Sequence, residues 1–381
     1  MRLLFVITSP ISIILLRGQI KFNKDKGAQV YLATAYDKSI DIEIIKEGFF
    51  YRKIDLVREI SLIKDFLAVI NAYKILKEVK PNIINASTPK AGLIFMLASC
   101  LVKGVYPIFT LRGMRSDTLN GLKYYIVWFT EFLTCTFAKK VVVISPSLRD
   151  HAIKTKIVRK NKTIVIGKGS SNGINIEKFT KTNSIVESAN QIRDKYNIPL
   201  DAFVFGFIGR IVEDKGIVEM FQAFKEVKAR KENVFLVITG SIESDNSVSK
   251  SIMDEMYHNP YVVFTGFTNE VPVMLSSYDV LVLFSHREGF GNVVLQAASM
   301  EIPAIVADIP GLKDTVEEGV TGFKVESKNH SLLAEKMLFC YTNKDVVSSL
   351  GANARKRAVD YFSSDIIWQE LFKIYRQSTD V

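Results

Sequence analysis

Short apolar runs alternate with helical periodicities along the chain, and the alternation starts over near residue 203. In the first half, Arg2–Thr8, Gln29–Thr34, Ile83–Asn85, Tyr106–Leu111 and Lys140–Ile144 read as strands, with helices at Ser61–Val79 and Ala91–Leu101. In the second half, strands fall at Phe203–Ile208, Val234–Thr239, Tyr261–Phe264, Val280–Phe284 and Ala304–Ala307, with helices at Gly216–Ala229 and Asn292–Met300. Strands that are apolar throughout belong to sheets covered on both faces, and alternation with helices makes such sheets parallel. The expectation is an α/β protein with two doubly wound sheets, each presenting ligands at the C-terminal ends of its strands. A length of 381 residues also exceeds what one core usually serves.

The loop Gly167–Ile174 and the polar stretch Lys181–Gln191, read as a linker, place the domain boundary. The division expected is 1–183, 184–361 and a terminal helical segment 362–381, whose amphipathic stretch is read as Tyr361–Arg376 with Ile366, Ile367, Leu371 and Ile374 apolar. Charge divides the same way: residues 1–181 hold 30 Lys/Arg against 13 Asp/Glu, and residues 182–381 hold 20 against 27. A basic first half points to an anionic partner such as a membrane surface or a phosphorylated acceptor, unless the lysines merely reflect an AT-rich genome. No nucleic-acid partner is expected, because no helix-turn-helix, zinc finger or RNP-like pattern accompanies the charge. Cys100, Cys135 and Cys340 are scattered in apolar runs and read as buried thiols of a reducing compartment; the four histidines form no metal spacing. Ser9-Pro10 breaks the first apolar run early and no small-residue cleavage site follows, so no signal peptide is read. With no run of 18 apolar residues either, a cytoplasmic protein, peripheral on the inner face of the membrane, is expected.

The richest stretch is Leu281–Ile305, a strand, the loop His286-Arg287-Glu288-Gly289-Phe290-Gly291, and a helix from Asn292. Free amides at a helix start attract anions, and the two glycines let a ligand come close to the main chain. A polar ligand there could meet Glu288, the amides of Gly289 to Asn292, and Gln296, one turn further along the same face. The glycines would equally serve a plain β-loop-α turn. A second loop, Gly209–Gly216, puts Arg210 and Lys215 at the two ends of a turn before a helix, an arrangement suited to gripping a diphosphate.

In the first half, Asn85–Lys90 and Arg112–Asp117 follow strands and hold Lys90, Arg112, Arg115 and Asp117. Three cations and a carboxylate would suit a phosphorylated acceptor and its hydroxyl, or they decorate solvated loops. The segment Leu122–Ala138 is unusually aromatic, with Lys123 and Lys139-Lys140 at its flanks. It reads either as core or as a surface that dips into a bilayer interface.

Five stretches carry a family resemblance: Asn172-Gly173-Ile174…Phe179, Gly209-Arg210…Lys215-Gly216, Thr265-Gly266-Phe267, Glu288-Gly289-Phe290-Gly291-Asn292 and Gly319…Thr321-Gly322. Together they resemble the retaining glycosyltransferases of family 4, which have the GT-B fold: two Rossmann-like domains facing a cleft, with a C-terminal helix crossing back to the first. Thr88-Pro89-Lys90-Ala91-Gly92 and Gly169-Ser170-Ser171-Asn172-Gly173 look most like bacterial enzymes that extend undecaprenyl-diphosphate-linked sugars for O-antigen, capsule or glycoprotein glycans. The resemblance implies that Arg210 and Lys215 hold the donor diphosphate and that Glu288 meets the donor sugar's hydroxyls. Gly289, Phe290 and Gly291 would offer backbone donors, with Gly209, Gly266, Phe267 and Asn292 completing the donor site. Gln296 stands where the second glutamate of the E-x7-E motif usually binds the ribose, and it loses the charge assistance. Ser9-Pro10-Ile11-Ser12 stands where the family often has a Gly-rich loop.

The implied reaction moves a sugar, such as an N-acetylhexosamine, from a UDP-sugar to a lipid-linked saccharide with retention. No DxD motif offers a metal site, and no metal cofactor is expected. Catalysis would fall to Arg210, Lys215 and Glu288, with Asp117 orienting the acceptor hydroxyl and Lys90, Arg112 and Arg115 binding the acceptor. A GT-B nucleotide-sugar epimerase and a non-catalytic nucleotide-sugar-binding protein are the alternatives.

Overall fold

The computed structural model describes residues 1–57, 61–243 and 247–379. They form two compact units, Met1–Gly173 with Ser364–Val381, and Ile174–Ser363. The first unit holds seven strands: β1 (Arg2–Val6), β2 (Gln29–Thr34), β3 (Phe50–Lys53), β4 (Ile83–Ala86), β5 (Tyr106–Leu111), β6 (Lys140–Val143) and β7 (Thr163–Val165). The second holds six: β8 (Phe203–Ile208), β9 (Val234–Thr239), β10 (Val262–Gly266), β11 (Val280–Leu283), β12 (Ala304–Ala307) and β13 (Gly322–Val325). Their orders are β3-β2-β1-β4-β5-β6-β7 and β10-β9-β8-β11-β12-β13. Every pairing is parallel, as in β1 on β4 (Leu3 opposite Ile83) and β8 on β9 (Phe203 opposite Val234).

In each sheet the first strand made, β1 or β8, lies inside, and the chain winds outward from it in both directions. The order therefore reverses between β1 and β4, and again between β8 and β11. At such a switch point the loops diverge and leave a crevice beyond the strand ends. In the first unit this point is bridged by the Thr8 and Thr88 hydroxyls, 2.7 Å apart, with the Thr8 amide also donating to Thr88 Oγ1. The central strands are apolar on both faces because helices cover both: Leu3, Leu4, Phe5, Val204 and Phe205 are all buried.

The last helix, Ser364–Thr379, belongs to the first unit. Ile367, Leu371 and Tyr375 join the core around Leu3, Phe5 and Leu32. The Tyr375 hydroxyl accepts a 2.6 Å bond from Asn85 Nδ2, and Trp368 Nε1 donates to Asn172 Oδ1 at 2.9 Å.

Several expectations are corrected. The stretch read as a linker is largely the helix Asn183–Lys195, capped by Thr182, and the division falls earlier, between Gly173 and Ile174. The terminal helix read from Tyr361 is broken at Ser363, so Tyr361 and Phe362 close the preceding helix, Lys344–Phe362. Cys100 is exposed rather than buried, since it lies just past the end of the helix Pro89–Ser99; Cys135 and Cys340 are buried. The aromatic segment forms the helix Gly121–Phe137, whose buried residues are Glu131, Thr134 and Cys135; Tyr124, Trp128, Phe132 and Phe137 are half-buried, and the core reading fails for Tyr125 and Phe129, which are exposed. Among the described residues no helix is long and apolar enough to cross a membrane.

Candidate active site

The loops Gly209–Gly216 and Ser285–Gly291 follow β8 and β11, so they flank the switch point of the second sheet. Two glycines allow them to touch. Gly216 has φ +68°, and a Cβ there would lie 2.1 Å from the carbonyl oxygen of Phe284. Gly311 lets a third segment approach, for its Cβ would lie 2.3 Å from the Gly289 carbonyl oxygen. The loops are then tied together: the His286 amide donates to the Asp214 carbonyl at 2.8 Å. His286 Nε2 lies 2.8 Å from Glu219 Oε1, on the helix Ile217–Lys228 that the first loop opens. Burial pushes the Glu219 carboxyl up, but its bonds to His286 and to its own helix amide, with help from Lys328, outweigh this and leave it lowered.

This frame brings Lys215 Nζ to 2.6 Å from Glu288 Oε2, with both side chains largely shielded. Glu288 Oε1 accepts in turn from the Gly289 amide at 3.2 Å. Arg210 stands at the outer end, exposed, and bonds Glu243 at 2.8 Å. Its guanidinium is held above its ordinary value by that bond, against a burial cost, and further by the nearby carboxylates of Asp214 and Glu288. Arg210 thus lies within electrostatic reach of Glu288, the carboxylate that Lys215 pairs directly, on the loops that flank the switch point.

The other residues expected around this site are placed as follows. Gly291, at φ +64°, caps the helix Asn292–Ser299, so the chain turns there to aim the first helical amides back at the crevice. Phe290 is buried and packs on Phe362, with ring centroids 5.9 Å apart, so only its backbone faces the loop. Asn292 Oδ1 is buried and finds no protein donor. Gln296 is half-buried one turn further on. Gly209 accepts the close approach of Gly240, whose Cβ would fall 1.7 Å from the Gly209 carbonyl oxygen. Gly266, in the left-handed region, ends β10, and Phe267 beyond it is exposed.

In the first unit the expected residues separate into three groups. Lys90 is buried and held by both carboxylate oxygens of Asp65, each at 2.7 Å. It lines a hollow with Arg115 and Glu131, whose oxygens accept from the Arg115 amide and the Ser116 hydroxyl, both at 2.6 Å. Burial pushes the Glu131 carboxyl up against the pull of those two donors. Arg112 points elsewhere: it bonds the Ser171 carbonyl at 2.7 Å and the Leu15 carbonyl at 3.2 Å, and burial lowers its guanidinium to about 10. Asp117 lies 3.0 Å from His151 Nε2. Asp65, Glu131, His151 and the pair Glu219–His286 were not singled out from the sequence. A lone acid within a helical pattern carries no signal of the partner that folding supplies.

The sequence model described as Glycosyltransferase Family 4 matches residues 24–178, and the one described as Glycosyl transferases group 1 matches residues 188–357. The chain is 36% identical over 378 residues to the capsular polysaccharide biosynthesis glycosyltransferase CapM of Staphylococcus aureus, covering 98% of this chain and 96% of that protein. It is 26% identical over 313 residues to the UDP-Gal:alpha-D-GlcNAc-diphosphoundecaprenol alpha-1,3-galactosyltransferase of Escherichia coli, covering 81% and 78%. Anabaena Alr3699/HepE, solved in complex with UDP, shares the fold at a TM-score of 0.82 and 20% identity, over 99% of this chain and 100% of that one. The two parallel-sheet units are those of the GT-B fold, and the chain belongs to the family-4 glycosyltransferases.

Proposed function

We propose that the enzyme transfers a sugar from a UDP-sugar to a lipid-linked, undecaprenyl-diphosphate-type saccharide during surface polysaccharide assembly, with the anomeric configuration retained. The observation that carries this reading is the Lys215–Glu288 pair beside Arg210 at the switch point of the second sheet. Two cations beside a carboxylate suit a ligand that is anionic at one end and hydroxylated at the other. The capsule-synthesis name of the Staphylococcus relative and the UDP-Gal and diphosphoundecaprenol in the name of the Escherichia relative support the donor and acceptor classes.

In this reading Arg210, Lys215 and the amides around Gly291 and Asn292 hold the donor diphosphate. Glu288 turns from Lys215 to the sugar hydroxyls. The bond from the anomeric carbon to the phosphate oxygen breaks, and its electron pair stays on the nucleotide diphosphate, where the fixed cations stabilise it. The acceptor hydroxyl attacks from the same face and passes its proton to a departing phosphate oxygen. These cations do the electrostatic work for which other transferases use a metal, so no metal is called for. Lys90 and Arg115, in one hollow, are assigned to the acceptor phosphates. Asp117 is assigned to the acceptor hydroxyl through its contact with His151. Arg112 serves the acceptor side by fixing the loop at Ser171.

Incubating the chain with a panel of nucleotide sugars and a short-chain prenyl-diphosphate sugar, read by mass spectrometry, tests the reading. One donor should add a single sugar mass to the acceptor. Donor consumed without acceptor, with inversion at C2, would indicate an epimerase instead. Gln296→Glu supplies a narrower check. Restoring a charged acceptor for the ribose hydroxyls should lower the donor KM about fivefold with kcat little changed. An unchanged KM would detach Gln296 from the ribose.

A further inference from the structure

The helix Lys344–Phe362 is fitted closely against Asn292–Ser299, the helix that opens from the loop holding Glu288. Ala354 and Ala358 meet Ala298 across the contact, and a Cβ at Gly351 would lie 2.1 Å from the Glu301 carbonyl oxygen. Small residues on the facing side bring the two backbones near, so the helix is a fixed platform. Arg357 stands on it next to Ala358, with a side chain only 13% exposed. Its Nη1 donates to the Thr315 carbonyl and its Nη2 to the Asp314 carbonyl, both at 2.8 Å. These two residues end the 3-10 turn Leu312–Thr315, and the last carbonyls of a helical turn have no partner within it. A planar fork of donors spans two such carbonyls at once, as a single ammonium cannot. Nε faces the Glu317 carboxylate at 3.8 Å; burial lowers the guanidinium, and Glu317 and Asp314 oppose that shift.

This one side chain supports the Glu288–Gly291 loop by two routes. The turn that it pins is the floor under the loop. A Cβ at Gly311 would lie 2.3 Å from the Gly289 carbonyl oxygen and 2.7 Å from that of Glu288, and a Cβ at Gly291 would lie 2.6 Å from Leu312 Cδ1. The second route is aromatic. Arg357 Cζ lies 4.8 Å from the centre of the Phe362 ring, and Phe362 packs on the buried Phe290 inside the loop. All of these residues belong to one compact unit. Glu288 keeps its carboxylate on Lys215 only while its own main chain stays in place, and a shift of about 1 Å in a positioned group can cost about a hundredfold in rate.

We infer that Arg357 is a positioning residue for donor recognition: by anchoring the Leu312–Thr315 turn and Phe362 together, it holds the backbone of Glu288–Gly291 where Glu288 meets Lys215. The inference rests on the nucleotide-sugar reading for the ligand, but the placement of the loop is tested without one. Arg357→Lys keeps the charge and loses the fork. Arg355→Lys is the comparison, because Arg355 lies on the same helix and donates to the Ser299 carbonyl, with Nε 3.7 Å from Glu301, at the far end of the helix Asn292–Ser299. Hydrogen exchange of the full chain alone should speed up about tenfold in Arg357→Lys at the amides of Val294, Lys313 and Asp314, which bond the carbonyls of Gly291, Ile309 and Gly311. In Arg355→Lys the faster amides should instead be Met300 and Glu301, bonded to Ala297 and Ala298. UDP, titrated calorimetrically, should bind Arg357→Lys about tenfold more weakly and Arg355→Lys as it binds the wild type. Wild-type exchange at Val294, Lys313 and Asp314 in Arg357→Lys overturns the inference, and so does equal acceleration there in both variants. Unchanged UDP affinity in Arg357→Lys overturns it too. A wild type that does not bind UDP removes the UDP reading instead, and the exchange comparison still decides the placement.

Discussion

Replacing Arg210 and Lys215 together by alanine is expected to lower kcat/KM by about four orders of magnitude while leaving the second unit folded. A single fixed donor at a developing oxyanion is typically worth about a hundredfold to a thousandfold. Two such groups acting on one diphosphate should not add in full. Arg210 is exposed and its partner Glu243 is on the surface, so its removal strands nothing. Lys215 differs, because its loss leaves the shielded Glu288 carboxylate without its 2.6 Å counter-charge. Lys215→Ala combined with Glu288→Gln separates the two effects. Stability should return towards wild type in that pair, and transfer should not. Near-normal turnover in the Arg210→Ala, Lys215→Ala protein would refute the assignment of both cations.

Gly216→Ala should be almost as damaging by a different route. An L-residue at φ +68° costs about 1–2 kcal/mol on its own. The new methyl would also lie 2.1 Å from the Phe284 carbonyl oxygen, a main-chain atom at the end of β11 that cannot swing aside. The combined cost of about 3 kcal/mol should lower Tm by roughly 10 °C, and the displaced loop should carry Lys215 out of reach of Glu288. Gly319→Ala is the control, with φ +69° and nothing within 4 Å of the added methyl. It should show the backbone cost alone. Equal losses in the two variants would mean that the Gly216–Phe284 approach does not matter.

What the sequence made legible follows from burial. The strands Gln29–Thr34, Tyr106–Leu111, Phe203–Ile208, Val234–Thr239 and Ala304–Ala307 are read to the residue, being apolar runs with polar edges. The edge strands β3 (Phe-Tyr-Arg-Lys) and β13 (Gly-Phe-Lys-Val) were missed, being short and carrying the cations that an edge tolerates. In the site, glycines flanking charged residues pointed to the two loops, and folding brings Lys215 onto Glu288. The occupation of Arg112 by the Ser171 and Leu15 carbonyls was invisible, since every residue has a carbonyl and only the fold selects one. The aromatic helix Gly121–Phe137 misled for a related reason. Periodicity marks an apolar face, and a face turned outward has the same period as one turned in.

The return of Ser364–Thr379 to the first sheet has a consequence for how the protein is born. Tyr375 and Leu371 fill the core around β1, yet a ribosome makes them about 370 residues after Leu3. The first unit must wait through the synthesis of the intervening Ile174–Ser363, roughly 20 s at about 10 residues per second, with part of its core unfilled. The unit translated second is thus the first able to finish folding, and the earlier one is sealed only once Ser364–Thr379 has been made.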